Sequence, residues 1–288
     1  MKLEEDLFYK KHTICCKGSI IDLTRPKVMG IINLTPDSFY AGSRQKETSK
    51  TIAQIEEMIA LGATFIDIGA VSTRPGADLP DEDEEKSRLE PVLSEISKHL
   101  PDAFISLDTF RSSVARWAVE KYGISIINDV SGGNLDEDMF DTIAQLDVPY
   151  ILMHMRGTPQ TMTKESAYNN ITREIILDLT TKSNQLQKSG VKDIILDPGI
   201  GFAKNINQNF ELLHRLDEFY VTGLPLLIGL SRKSLVHKTL GCTPEDALNG
   251  TTVLNTLALS KGASILRVHD VKEAAETILM YQAAKQVG

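Results

Sequence analysis

The feature that most constrains this chain is an alternation that recurs eight times: a short apolar run, then a longer segment with helical spacing. The apolar runs are Lys27–Asn33, Thr64–Val71, Ala103–Asp108, Ser125–Val130, Pro149–His154, Asp193–Asp197, Pro225–Leu230 and Ser264–Val268. Helices are predicted at about residues 46–61, 82–100, 112–121, 136–146, 167–189 and 207–220. Short ones are predicted from Arg232 and from Pro244, and a last one over 272–285. In the first, Ile52, Ile55 and Ile59 share a face and Gly62 is the expected stop. Strands joined each time through a helix run parallel, because a parallel return needs a long crossover. Eight such units in 288 residues fit a closed (β/α)8 barrel, for which about 250 residues is usual. A doubly wound open sheet is the alternative. It would more naturally use about five or six strands, with a Gly-x-Gly-x-x-Gly turn after the first, and that turn is absent here.

Before the barrel pattern, Thr13–Leu23 holds two short apolar runs around Lys17-Gly18-Ser19, a hairpin signature, and Arg25-Pro26 closes the segment. The expected organisation is α/β, a (β/α)8 TIM barrel with a short N-terminal β-hairpin. Residues 1–26 form the hairpin and lead-in packed on the barrel, and residues 27–288 form the barrel. A net charge of −8 without a basic stripe argues against nucleic acid as a partner. Met1–His12 is charged and lacks the apolar stretch of a secretory signal, and no apolar run approaches a membrane span. Cys15, Cys16 and Cys242 have no metal-ligand spacing, so the expectation is reduced thiols and a cytoplasmic protein.

In such a barrel, chemistry gathers at the C-terminal ends of the strands. Those positions hold Asn33, Asp67, Asp108, Asn128 with Asp129, His154, Asp197, Lys233 with Ser234, and Arg267 with His269. Asp67 and Asp129 are expected to serve loop backbone or cap a following helix. Asp108, Asn128 and Asp197 together are too costly at one mouth unless something pairs with them. Planar carboxylates and an amide match a flat heterocycle with N–H donors and a carbonyl, and Lys233 suits the carbonyl side. Arg267 and His269 on the last strand suit an anion, since phosphate sites after strands seven and eight recur in this barrel. The pocket therefore reads as one for a flat heterocycle bearing phosphate.

The stretch Val28–Gly42 begins as a buried strand and ends at Asn33. Turn chemistry follows at Thr35-Pro36-Asp37, and then the aromatic pair Phe39-Tyr40, which reads either as cover for a core edge or as a mobile lid over a small, flat, polar substrate. Asn33-Leu-Thr-Pro-Asp-Ser-Phe39 resembles the first loop of the dihydropteroate synthase family. Six further motifs follow in that family's order: Ile68-Gly-Ala-Val-Ser-Thr-Arg-Pro-Gly76, Ser106-Leu-Asp-Thr109, Ile127-Asn-Asp-Val-Ser-Gly-Gly133, Leu196-Asp-Pro-Gly-Ile-Gly-Phe-Ala-Lys204, Gly229-Leu-Ser-Arg-Lys-Ser234 and Arg267-Val-His269. Val71 stands where better-known members carry Glu, and Tyr40-Ala-Gly-Ser43 replaces a more usual Ser-Asp-Gly-Gly.

The resemblance implies a transferase of folate biosynthesis and a sulfonamide target. It would condense 6-hydroxymethyl-7,8-dihydropterin diphosphate with 4-aminobenzoate, by loss of diphosphate to a pterin-methylene cation that the aniline nitrogen attacks. It implies pterin binding by Asp108, Asn128, Asp197 and Lys233, and diphosphate binding by Asn33, Arg267 and His269, with Asn33 on a Mg2+ ion. Aminobenzoate would meet Phe39, Thr73, Arg74, Pro75, Phe202, Lys233 and Ser234, and Asp37 and Arg74 would join Asp108, Asp197 and Lys233 in catalysis. The loops at 35–46 and 72–83 are expected to close over the bound pterin. A homodimer through helices of the later half of the barrel is also implied. His154 reads equally as an orienting core histidine or a substrate contact. Two alternatives remain: a folate-dependent methyltransferase domain, disfavoured by Arg267-Val-His269 and the loops with Pro36 and Pro75, and a pterin-binding homologue without turnover.

Overall fold

A computed structural model describes residues 10–34, 44–71, 79–158, 161 and 166–286. Asp37, Phe39, Thr73, Arg74 and Pro75, and most of both predicted loops, lie outside the described residues.

The chain opens with an antiparallel hairpin, β1 (Thr13–Cys16) and β2 (Ser19–Asp22). Lys17 and Gly18 form its two-residue turn, both with positive φ (49° and 75°), which matches the twist of the flanking strands. The strands β3 (Lys27–Asn33), β4 (Phe65–Gly69), β5 (Phe104–Asp108), β6 (Ile126–Asp129), β7 (Tyr150–Met153), β8 (Ile194–Asp197), β9 (Leu227–Ile228) and β10 (Ile265–Val268) form one parallel sheet. Its spatial order is β8-β7-β6-β5-β4-β3-β10-β9. The ends meet where Leu196 pairs with Leu226 and Leu196 N–H donates to Pro225 O at 2.9 Å, so the sheet closes into a barrel.

Helices α1 (Arg44–Ala60), α2 (Glu82–His99), α3 (Ser112–Tyr122), α4 (Met139–Leu146), α5 (Ile171–Lys188), α6 (Ile206–His214), α7 (Ser234–Leu240), α8 (Leu248–Ser260) and α9 (Val271–Lys285) follow the strands. Outward strand residues such as Ile32, Ile66, Leu107, Leu152 and Leu266 pack with helix residues such as Ile55, Leu93, Val114 and Leu179 in one continuous core.

Several boundaries differ from the sequence reading. The helix expected from residue 136 starts at Met139, because Asp136 instead accepts from Ser112 N–H (2.7 Å) and Asp138 N–H (3.0 Å). The helix expected from 167 starts at Ile171, behind an Asn170 cap that accepts from Arg173 N–H at 3.1 Å. The helix expected over 207–220 stops at His214 and resumes as a 3-10 turn, Leu216–Thr222. Thr243–Asp246 is a turn rather than a helix start, and α8 begins at Leu248.

The two-residue period of the strands sorts the barrel interior along its axis. Met29, Phe65, Ile126, Ile151, Ile195, Leu227 and Ile265 point inward near the N-terminal ends, where Ile14, Cys16 and Leu23 of the hairpin region pack beneath them. Burying each such side chain is worth about 1.5–3 kcal/mol, and Phe65→Ala here would cost about 3–5 kcal/mol. The hairpin is held to this end by Lys17 Nζ, which donates to Pro101 O (2.9 Å) and Ala103 O (3.1 Å), and by Cys15 N–H on Asp193 Oδ2 (3.0 Å). Two residues further along, five inward positions are polar, Asp67, Ser106, Asn128, Asp197 and Arg267, beside Ile31, Met153 and Gly229. The apolar plug leaves the opposite end of the barrel to carry chemistry.

Candidate active site

The polar positions meet through the interior. Asn128 on β6 donates from Nδ2 to Asp67 Oδ2 on β4 at 3.0 Å, reaching past β5. Arg267 on β10 donates from Nε to the same Asp67 oxygen at 2.7 Å and from Nη2 to Asp108 Oδ2 on β5 at 2.9 Å. Arg267 Nη1 has no hydrogen-bond partner among the described residues. Gly69 keeps this crowding possible, since a Cβ there would stand 3.2 Å from the Asp108 side chain.

Burial pushes the Asp108 carboxyl up to about 7, against the pull of the Arg267 guanidinium and with the help of neighbouring Asp67 and Asp129. Burial also raises Asp197, opposed chiefly by the Lys233 ammonium. Lys233 is pushed down to about 8 by burial, with Asp197 pulling the other way. A buried acid and a buried base thus share one mouth with both values drawn towards neutrality, a pattern found at reactive sites.

The segment after β8 is folded back tightly. Gly199 N–H donates to Asp197 Oδ1 at 2.7 Å. Gly199 has φ of 69°, and a Cβ there would lie 2.1 Å from His154 O, so the position requires glycine. Lys233 Nζ donates to Ile200 O and lies 4.6 Å from the centre of the Phe202 ring. Lys233 itself is presented by Arg232, whose φ of 56° is held by paired bonds from its Nε (3.0 Å) and Nη2 (2.6 Å) to Asp270. Ser234, exposed, is the first residue of α7. On the anion side, Ser231 Oγ lies 3.0 Å from His269 Nδ1 and accepts from His269 N–H at 3.2 Å. Asn33 is exposed at the C-terminal end of β3.

Asp108, Asn128, Asp197, Lys233 and Arg267 therefore belong to the interior and rim of one mouth. Asp129 behaves as expected of a loop-binding group: it accepts from Ser131 N–H (2.7 Å), Gly133 N–H (2.8 Å) and Tyr150 OH (2.6 Å). Asp67 does not. Among the described residues it caps no helix and serves no loop, but sits at the centre of the Arg267–Asn128 network, fully buried. Its position two residues after Phe65 in an apolar strand was the available signal, since that parity faces the barrel axis.

His154 is not at the rim. It is buried, and burial with the adjacent Lys204 charge drives its imidazole down to about 2, so it is neutral. Its Nδ1 lies 3.3 Å from Lys204 Nζ. Sequence reading also passed over Glu85, a fully buried carboxylate of α2 that accepts from Thr109 Oγ1 at 2.7 Å and from Arg111, beside Asp108.

Comparison with known proteins agrees with this geometry. A family model described as pterin binding enzyme matches residues 29–269. The chain is 38% identical over 269 residues to the dihydropteroate synthase of Escherichia coli K12, covering 93% of this chain and 94% of that protein. It is 43% identical over 266 residues to the folic acid synthesis protein fol1 of Pneumocystis carinii, covering 90% of this chain but 35% of that longer protein. A solved structure of Xanthomonas albilineans dihydropteroate synthase with 4-aminobenzoic acid superposes with a TM-score of 0.87 at 34% identity, covering 96% of this chain and 99% of that one. The carboxylates and amide at the barrel mouth, the buried lysine beside them and this full-length similarity together place the chain in the pterin-binding enzyme family, among the dihydropteroate synthases.

Proposed function

We infer that the protein condenses 6-hydroxymethyl-7,8-dihydropterin diphosphate with 4-aminobenzoate, giving 7,8-dihydropteroate and diphosphate in folate biosynthesis. The observation that carries this reading is the convergence of Asp108, Asn128, Asp197 and Lys233 on the open end of a barrel whose other end is plugged by apolar side chains. Asp197 and Asn128 offer acceptor and donor groups in a plane, as an aminopyrimidine edge requires. Asp108, with its carboxyl near 7, can meet such an edge as donor or acceptor around neutral pH. Lys233 serves the ring carbonyl and, against Phe202, one wall of the aminobenzoate site, with the benzoate carboxylate near Ser234.

The chemistry needs no protein nucleophile. The bond between the pterin methylene and the diphosphate oxygen breaks, and its electron pair leaves with diphosphate. The cationic methylene is stabilised by the buried carboxylates, which are fixed in place before the reaction. The aniline nitrogen of aminobenzoate then forms the new C–N bond and loses a proton. Arg267 and His269 neutralise the departing diphosphate. Arg267 Nε and Nη2 hold Asp67 and Asp108, while Nη1, without a partner among the described residues, can meet the diphosphate.

Asn33 would hold magnesium together with the diphosphate. Magnesium keeps several waters and commonly takes one or two protein ligands plus phosphate oxygens. A single exposed amide at the mouth fits that, and the described residues contain no cluster of His, Cys, Asp or Glu able to cage a metal unaided. When bound, the ion supplies charge neutralisation at the leaving group.

The chain is also read as a homodimer. Helices α8 and α9 leave Val253, Leu257, Leu279 and Met280 exposed, an apolar face unusual on a monomer. No described helix is long and apolar enough to cross a membrane, and the three cysteines form no disulfide, which suits a reducing cytoplasm.

Asp197→Asn tests the assignment. Weakening a charge-assisted contact to a buried heterocycle costs about 1.5–3 kcal/mol, so the variant should fold and lose most of its pterin affinity and turnover. Unchanged turnover in the folded variant would remove the pterin reading.

A further inference from the structure

Lys204 is half-buried with its ammonium turned inward onto backbone carbonyls, yet neither pterin recognition nor leaving-group neutralisation uses it. Its Nζ donates to Gly199 O at 2.8 Å and to Phe202 O at 2.9 Å, and lies 3.3 Å from His154 Nδ1. Because His154 is neutral, the ammonium donates and Nδ1 accepts, which makes His154 the Nε2–H tautomer. All three donors of the ammonium are therefore committed, two of them to the loop it closes. The backbone makes this fold-back possible: Ala203 stands at φ 50°, and Asn209 Nδ2 donates to Lys204 O at 3.2 Å while its Oδ1 accepts from Gly201 N–H at 2.7 Å.

We propose that Lys204 is a positioning residue for the reaction: its ammonium clamps the 199–202 loop from below, so that Gly199 aims the Asp197 carboxylate and Phe202 keeps its ring beside Lys233. Gly199 carries one link directly, since its N–H holds Asp197 Oδ1 while its carbonyl is held by Lys204. Phe202 carries the other, since its carbonyl is held by Lys204 while its ring faces the Lys233 ammonium. His154 completes the clamp as the neutral acceptor that orients the ammonium.

A second effect is electrostatic. The charged groups around Lys204 are Asp197 on β8, Lys233 ahead of α7, Arg156 after β7 and, around His154, Lys182 on α5. Only Asp197 among them favours the ammonium, and the ammonium in turn favours the Asp197 carboxylate. Burial brings Lys204 down to about 7, so its charge is fully present on the acid side, where Asp197 takes up its proton.

Removing the ammonium leaves the Gly199 and Phe202 carbonyls and His154 Nδ1 without their donor, and unpaired acceptors in the interior cost stability. Lys204→Met should therefore melt below the wild-type temperature. Its dissociation constant for pterin diphosphate and its KM for aminobenzoate should both rise by about tenfold, and the acid limb of its kcat/KM profile should move up by about half a pH unit. Lys204→Gln, which keeps a donor without the charge, should recover part of the affinity while its acid limb stays displaced. It also provides the reading if the Met variant does not fold.

The inference rests on the pterin reading of Asp197. Wild-type protein that binds no pterin diphosphate defeats that reading. Wild type that binds, with variants of unchanged affinity and acid limb, defeats the positioning role alone. A lower melting temperature with wild-type affinity and pH profile would mark Lys204 as structural and overturn the proposal.

Discussion

Arg267 and Asp67 are joined across the inside of the barrel, with Nε 2.7 Å and Nη2 2.6 Å from the same carboxylate oxygen, Oδ2. The other oxygen, Oδ1, is buried without a hydrogen-bond partner among the described residues. Asp67 therefore holds the guanidinium from inside the barrel through one oxygen alone. Removing one partner of a buried pair leaves the other uncompensated, at about 3–5 kcal/mol. Asp67→Ala should lower the unfolding free energy by that order, and any folded fraction should bind pterin diphosphate poorly. Denaturant unfolding with ligand titration checks this; wild-type stability would show the pair to be dispensable.

That pairing marks where sequence reading stops. The alternation of apolar runs and helical segments was enough for the barrel, and strand-end position was enough to single out Asp108, Asn128, Asp197, Lys233 and Arg267. Asp67 was expected to serve loop backbone or cap the following helix, and only the register linking β4, β6 and β10 shows which groups it faces. Lys204 was legible as part of a motif, but its work depends on Ala203 in a left-handed conformation, which sequence does not announce. The late start of α8 has a similar cause: Thr243 and Asp246 satisfy each other in a turn that resembles a helix cap.

Asp108 makes stability depend on pH. Its carboxyl, near 7 in the folded protein, lies above its ordinary value, mainly through burial. The folded state therefore holds a proton that the unfolded chain releases. The resulting stabilisation is fully present below about pH 4 and is lost as pH rises through about 7. The stability of wild type relative to Asp108→Asn should decline from pH 5 to pH 8 in the absence of ligands, as urea unfolding at both values would show. A constant difference would place the Asp108 titration elsewhere.

Gly199→Ala should be severe although it adds one methyl group. The new Cβ would stand 2.1 Å from His154 O, at a backbone φ of 69° that disfavours side chains. A cost of about 3 kcal/mol or more is expected, with a melting temperature lower by at least about 6 °C. Pterin affinity should fall with it, because Gly199 N–H holds Asp197. A variant that melts and binds like wild type would mean that the loop rearranges freely.

The exposed apolar face of α8 and α9 predicts association. Met280 is 72% exposed and Leu279 is 65% exposed, on a helix packed against α8 with Val253 and Leu257. Leu279→Glu with Met280→Glu should convert a dimer to a monomer in sedimentation equilibrium while leaving the barrel folded. A wild-type monomer at micromolar concentration would refute the dimer.

The most direct test follows diphosphate and dihydropteroate together in the presence of pterin diphosphate, aminobenzoate and magnesium. The account predicts one diphosphate released for each dihydropteroate formed, with condensation abolished when either organic substrate is omitted. A folded protein that binds the pterin but forms no dihydropteroate with both substrates present would contradict it.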